Sequence, residues 1–123
     1  GISRVGIPLE IFDAARTDVS YILPSLWTKA GVMIGAPTYE GTLFPPVAQA
    51  LEMATLKRVL NKKLAMFGSY GWSGGALRHL KQIIEPVKWE LVDSFEFTGK
   101  PTEEDLRRGE EFGARFAEVI KNI

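Results

Sequence analysis

A chain of 123 residues with 46% hydrophobic content can bury one core and leaves little room for a second independent domain. Fifteen basic residues balance fifteen acidic ones, which gives no general electrostatic pull toward nucleic acid or an anionic membrane. The lack of cysteine excludes disulfides, thiolate metal sites, iron–sulfur ligation and cysteine nucleophiles, and a single histidine, His79, excludes a multi-histidine metal centre.

The first element in chain order is Arg4 to Asp13 (RVGIPLEIFD), whose β-branched and aromatic run predicts a strand. Thr17 or Asp18 is suited to cap a helix over Val19 to Lys29, where Val19, Ile22, Leu23, Leu26 and Trp27 recur at helical spacing. Pro24 must sit in the first turn of that helix or kink it. After Gly31, the short apolar run Val32 to Ile34 predicts a strand buried on both faces of a parallel sheet.

Gly35 to Pro46 (GAPTYEGTLFPP) reads as a loop, and Pro46 is placed to open a helix whose face is Val47, Ala50, Leu51 and Ala54. Lys63 to Ser69 returns to a central strand. The glycine-rich Gly68 to Gly75 (GSYGWSGG) then leads into a helix with the stripe Ala76, Leu77, Leu80, Ile83 and Ile84, closed by Pro86. Trp89 to Phe97 predicts a strand. Thr102 caps a last helix with Glu103, Glu104 and Asp105 in its first turn and Leu106, Gly109, Gly113, Phe116 and Ile120 on its inner face. Strand–helix alternation repeated four times with short connections predicts an α/β fold, a parallel sheet covered by helices on both faces.

Ligands of such sheets bind beyond the carboxyl ends of the strands. Two of the loops at that edge are long, glycine-bearing and aromatic. The first supplies Thr38, Tyr39, Gly41 and Phe44, and the second supplies Ser69, Tyr70, Gly71, Trp72, Ser73, Gly74 and Gly75. Aromatic side chains offer stacking area, and glycines let backbone groups approach the edge of a planar heteroaromatic ligand. Alternatively, Tyr39, Tyr70 and Trp72 fold onto the core or line a subunit interface.

Competing motifs fail on the same residues. The dinucleotide fingerprint does not fit Gly68, Tyr70 and Gly71, and no Gly-Lys-Ser/Thr ending marks a P-loop. Gly71 to Gly75 matches Gly-x-Ser-x-Gly, but a hydrolase of that type needs a histidine on a later loop, and His79 lies in the very next helix. Ser73 therefore reads as a helix cap or ligand contact. His79, beside Arg78, reads as solvent-facing.

The stretches GVMIGAPTYEGTLFPPVA and KLAMFGSYGWSGGA resemble the C-terminal flavodoxin-like domain of flavodiiron proteins, also called A-type flavoproteins, as do ARTDVSYIL and GKPTEEDLRRGEEFG more weakly. The resemblance implies a flavodoxin-like three-layer αβα sandwich that binds FMN and relays electrons to a di-iron centre reducing dioxygen or nitric oxide. That centre belongs to a separate β-lactamase-like domain. On the resemblance, the isoalloxazine ring is held by Pro37, Thr38, Tyr39, Glu40, Gly41, Leu43, Phe44, Ser69, Tyr70, Gly71, Trp72, Ser73, Gly74 and Gly75. The implied partners are the di-iron domain and a redox donor protein, with a homo-oligomer expected and neither nucleic acid nor membrane. The expected compartment is the cytoplasm, since neither a membrane-spanning apolar run nor a signal-peptide pattern occurs.

Flavodoxin-type domains begin with a strand and a loop of the form (S/T)-x-(Y/T)-G-x-T that wraps the FMN phosphate. This sequence has neither, so the first strand–helix unit is absent from it and only the ring half of the cofactor site is expected. Residues 1–123 then form a single flavodoxin-like domain, expected to be a fragment of a longer protein. Its first strand corresponds to the family's second, with Gly1 to Val5 as the tail of the first helix. The strand order 2-1-3-4-5 places the first strand between the first two predicted here. Three arrangements fill that position: a strand from another chain, a strand of the native protein outside this sequence, or direct pairing of Leu9 to Asp13 with Val32 to Ile34. The second is the expectation. Other functional readings are a flavin-free interaction module and a flavodoxin-like NAD(P)H quinone reductase.

Overall fold

Three apolar runs pair in parallel to form the sheet of the computed structural model, which describes residues 1–36, the backbone of 38–39, and residues 42–69 and 75–123. Strand β1 (Gly31–Gly35) lies beside β4 (Lys63–Ser69), and β4 beside β5 (Glu90–Phe97), in the order β1-β4-β5. Val32 is opposite Leu64, and Ile34 is opposite Met66. A two-residue hairpin, β2 (Thr38–Tyr39) and β3 (Thr42–Leu43), follows β1. The helices are α1 (Ile2–Val5), α2 (Val19–Thr28), α3 (Pro45–Leu56), α4 (Gly75–Ile84) and α5 (Glu103–Lys121).

Alternation along the strands divides the core into two layers. Ile34, Leu64 and Met66 join Ile22 and Leu26 of α2, Leu51 and Ala54 of α3, and Leu80 and Ile84 of α4. On the other face Ala65 and Phe95 pack under Phe112 and Phe116 of α5. The sheet is therefore covered on both faces, as the strand–helix alternation predicts. Trp89 closes the lower end of the first layer, where its Nε1 donates to the Val59 carbonyl at 2.7 Å.

Local chemistry sets the helix boundaries. Asp18 caps α2 by accepting from the Ser20 amide at 2.9 Å. Lys62 Nζ donates to the Lys29 carbonyl at 2.7 Å, just past the other end of α2. Pro24 sits inside α2, beyond its first turn. At α5, Thr102 and Asp105 form a reciprocal capping box at 3.1 and 3.0 Å.

Three expectations are corrected. Arg4 to Asp13 is not a strand: Ile2–Val5 is helical, Gly6 ends the turn at φ +87°, and residues 7–13 join no ladder, with Ile11 83% exposed. An extended segment is held only by a hydrogen-bonded neighbour, none lies next to it here, and Pro8 lacks a donor besides. The sheet accordingly has three strands and not four. Direct pairing of Leu9 to Asp13 with β1 does not occur. On α5, Leu106 follows the inner stripe but lies in the first turn and is 60% exposed, while Phe112, unmarked in the sequence reading, is among the most deeply buried side chains. His79 is the third correction and belongs to the site.

Candidate functional site

Parallel pairing brings the ends of β1 and β4 to one edge. The ladder continues one step past β1, with the Ala36 amide donating to the Phe67 carbonyl at 3.1 Å. The backbones there are in contact: a Cβ on Gly68 would lie 2.2 Å from the Ala36 carbonyl oxygen. Only glycine at position 68 lets the two strand ends approach this closely.

From this edge the chain turns into the β2–β3 hairpin, in which Thr38 pairs with Leu43 and Tyr39 with Thr42. Leu43 is 1% exposed and anchors the hairpin in the first core layer. Its amide donates to Nδ1 of His79 on α4, at 3.2 Å. His79 is thus half-buried and engaged with the loop, not solvent-facing. As the acceptor, Nδ1 carries no proton in this contact. His79 follows Ala76 by three positions and precedes Ile83 by four, so it flanks the apolar stripe of α4, a signal available in the sequence.

Phe44 then starts α3, with Pro45 and Pro46 in its first turn, one residue earlier than Pro46 alone implied. Proline is accommodated there because those N–H groups have no intrahelical partner. Phe44 is partly buried against the core. Ser69 is half-buried at the end of β4, and Gly75 is buried as the first residue of α4.

Of the predicted ring contacts, Leu43, Phe44, Ser69, Gly75 and the backbone of Thr38 and Tyr39 therefore gather at one edge. Pro37, Glu40, Gly41, Tyr70, Gly71, Trp72, Ser73 and Gly74 lie outside the described residues. No group of three or more acidic or histidine side chains placed to hold a metal ion occurs among the described residues. The described part of the edge supplies backbone amides and carbonyls, hydroxyls and an aromatic ring, which suit the binding of a flat ligand.

A groove of about 850 Å³ runs along the outer edge of β1 and reaches the same end of the sheet. Residues 7–14 form one wall, α2 and α3 a second, and Phe116 and Ile120 of α5 a third, with Phe44 and Phe67 at the mouth. Phe67, 38% exposed, packs edge-on against Phe112 at 6.4 Å and stands over Gly35. Lys29 and Glu10 pair at 3.0 Å beside the groove, and the lysine holds the Glu10 carboxyl below its ordinary value.

This architecture, with helices on both faces of a parallel sheet and glycine-bearing loops at its carboxyl edge, is that of a flavodoxin-like domain. An archaeal flavodoxin superposes with a TM-score of 0.78 at 22% identity, covering 98% of this chain and 82% of that one. The chain is a homologue of the flavodoxin-like part of flavodiiron proteins. The anaerobic nitric oxide reductase flavorubredoxin of Escherichia coli (strain K12) is 32% identical over 111 residues, 90% of this chain and 23% of the relative. The Flv1 flavodiiron core of Synechocystis sp. PCC6803 superposes with a TM-score of 0.84 at 27% identity, over 98% of this chain and 30% of that one. The chain thus spans about a quarter of the length of the curated relatives it matches. No family model matches it.

Proposed function

We propose that the chain is an FMN-binding electron-transfer module of a flavodiiron-type oxidoreductase, passing electrons through the flavin to a di-iron centre carried elsewhere. The observation that carries this reading is the hairpin held at the carboxyl edge by the Leu43 amide on His79, beside the closely packed ends of β1 and β4. The described residues fit the ring half of the cofactor. Hairpin backbone groups suit its polar edge, and Phe44 and Ser69 are placed at the same end of the sheet. On sequence grounds, Tyr39, Tyr70 or Trp72 would cover a face of the ring.

The phosphate half does not fit the described residues. Helix N-termini bind phosphate through free amides. At α3 the prolines at 45 and 46 carry none, and at α2 the Asp18 carboxylate already accepts from the Ser20 amide. The bound flavin would accept and release electrons, and the protein would position it and bias its redox states.

Support for the wider assignment comes from the two flavodiiron relatives, and it extends the proposal to a di-iron β-lactamase-like domain, a redox donor protein and a homo-oligomer as partners. No helix among the described residues is long and apolar enough to cross a membrane. Titration with FMN, followed by visible absorbance and fluorescence quenching, tests the reading. Saturable binding supports it, and a chain that takes up no flavin at saturating FMN overturns it.

A further inference from the structure

We propose that the amino edge of the sheet, at the end opposite the hairpin, is a docking surface for an acidic segment of a partner protein that also carries leucine or aromatic side chains. Parallel pairing sets the edge up by bringing the starts of β1, β4 and β5 together. The turn from α3 into β4 is pinned between its neighbours: the Asn61 amide donates to the Val87 carbonyl at 3.2 Å, the Lys63 amide to the Ala30 carbonyl at 3.1 Å, and the Glu90 amide to the Lys62 carbonyl at 2.9 Å. Residues 57–63 therefore lie between the end of α2 and residues 87–90.

Charge is segregated here although the whole chain is balanced. Lys29 and Lys63 are paired with Glu10 and Glu90, and Lys62 donates to the carbonyls of Trp27 and Lys29. Lys57, Arg58 and Lys88 remain, exposed and without an ion pair among the described residues, and Glu85 is the acidic residue beside Lys88 in sequence. Two of these cations stand where the backbone favours glycine. Arg58 and Lys88 have φ of +57°, and with Asn61 at +60° they are the non-glycine residues of left-handed backbone among the described residues. All of them fall on this edge. Glycine would relieve the backbone there, so the two charged side chains are kept at a cost to folding that no side-chain hydrogen bond or ion pair of the described fold offsets.

The surface selects its occupant. Leu56, 75% exposed, and the exposed Leu60 and Trp27 lie at the same end of the molecule, so apolar contact area accompanies the cations. Positive charge around exposed leucine and tryptophan is complementary to an acidic segment with apolar side chains of its own. Three unpaired cations fall short of the about four to eight that hold a protein on an anionic lipid surface. The seven residues of β4, at ~3.3 Å each, put roughly 20 Å between this edge and the hairpin end. The inference is therefore independent of the flavin reading, and its test uses no flavin.

The probe is a fluorescent peptide of about ten residues, mostly glutamate with leucine at two positions, and the control has lysine in place of every glutamate. Anisotropy on the 123-residue chain should show saturable binding of the acidic peptide, none of the control, and roughly tenfold weaker binding as salt rises from about 0.05 to about 0.5 M. In Arg58→Gly/Lys88→Gly, affinity should fall about tenfold while the unfolding midpoint holds or rises, because glycine suits both backbone positions. Lys57→Gln, where φ is an ordinary −83°, should weaken binding about threefold and decides the matter if the double variant fails to fold.

No binding at saturating acidic peptide overturns the proposal, as does equal binding of the control or wild-type affinity in the folded variants. Binding to vesicles of phosphatidylcholine and phosphatidylserine without binding to the peptide assigns the edge to a lipid surface instead. A dimer in sedimentation at low salt, abolished in Arg58→Gly/Lys88→Gly, assigns it to a second copy of the chain.

Discussion

The amide of Leu43 and Nδ1 of His79 meet at 3.2 Å across 36 positions of sequence, and this contact ties the hairpin after β1 to the helix after β4. It couples the first of the loops assigned to the ligand ring to the helix that follows the second. His79→Ala leaves a partly buried donor without its acceptor, at a cost of about 1 to 2 kcal/mol. Faster exchange of the Leu43 amide and roughly tenfold weaker flavin binding are expected, with partial rescue in His79→Gln, whose side-chain oxygen can accept. Wild-type affinity in His79→Ala would show that the hairpin is held by Leu43 packing alone.

Gly68→Ala tests the contact between strand ends. The added Cβ meets a backbone oxygen, which cannot swing aside as a side chain can. Destabilisation of about 3 kcal/mol in urea unfolding is expected, with loss of flavin binding. A variant of unaltered stability would mean that β1 and β4 separate at this edge without cost.

Trp72→Ala addresses the second loop, on sequence grounds. Flavin affinity should fall at least about tenfold, while the unfolding midpoint moves little. If affinity holds, Trp72 has no role in ring binding.

Trp89 provides a contrast far from the site. Trp89→Phe removes the buried donor to the Val59 carbonyl and should cost roughly 1 to 3 kcal/mol of stability, read from thermal unfolding. Flavin affinity at a temperature where the variant is folded should match wild type.

The pH dependence of α2 follows from its cap. Hydrogen bonds from the Ser20 amide, and then from its side chain, lower the Asp18 pKa. A depressed carboxylate pKa contributes stability above its unfolded value, about 3.9, and that contribution is lost as pH falls through the folded value. Asp18→Asn keeps an acceptor without the charge. Wild type should therefore lose stability relative to Asp18→Asn as pH is lowered from about 5 to about 3, by a small amount because the group is exposed. Parallel acid-unfolding curves for the two proteins would contradict the assignment.

Much of this molecule was legible as a string of residues. The runs at Val32 to Ile34 and Lys63 to Ser69 form parallel strands because short, largely apolar segments have one favourable place, inside a sheet covered on both faces. Thr102 with Asp105, and Asp18 with Ser20, close their helix ends through contacts two or three residues apart, which spacing alone reveals. The placement of Leu43, Phe44, Ser69 and Gly75 at one edge follows from the same alternation.

Tertiary structure decided the rest, because a strand exists only by virtue of its neighbours. RVGIPLEIFD has the composition of a strand, yet its backbone groups find no ladder, and residues 7–13 become the wall of a groove. The single histidine looked like surface until Leu43, distant in sequence, was brought against its ring. Which backbone groups of β1 face the groove is likewise a matter of register with β4, a long-range pairing that composition does not encode. The sequence by itself determined the three strands that pair, the helix caps and the glycine-bearing loops at their ends, all governed by local periodicity and turn chemistry. Only the folded chain determined what anchors the hairpin and where the sheet lies open, because both depend on partners far away along the chain.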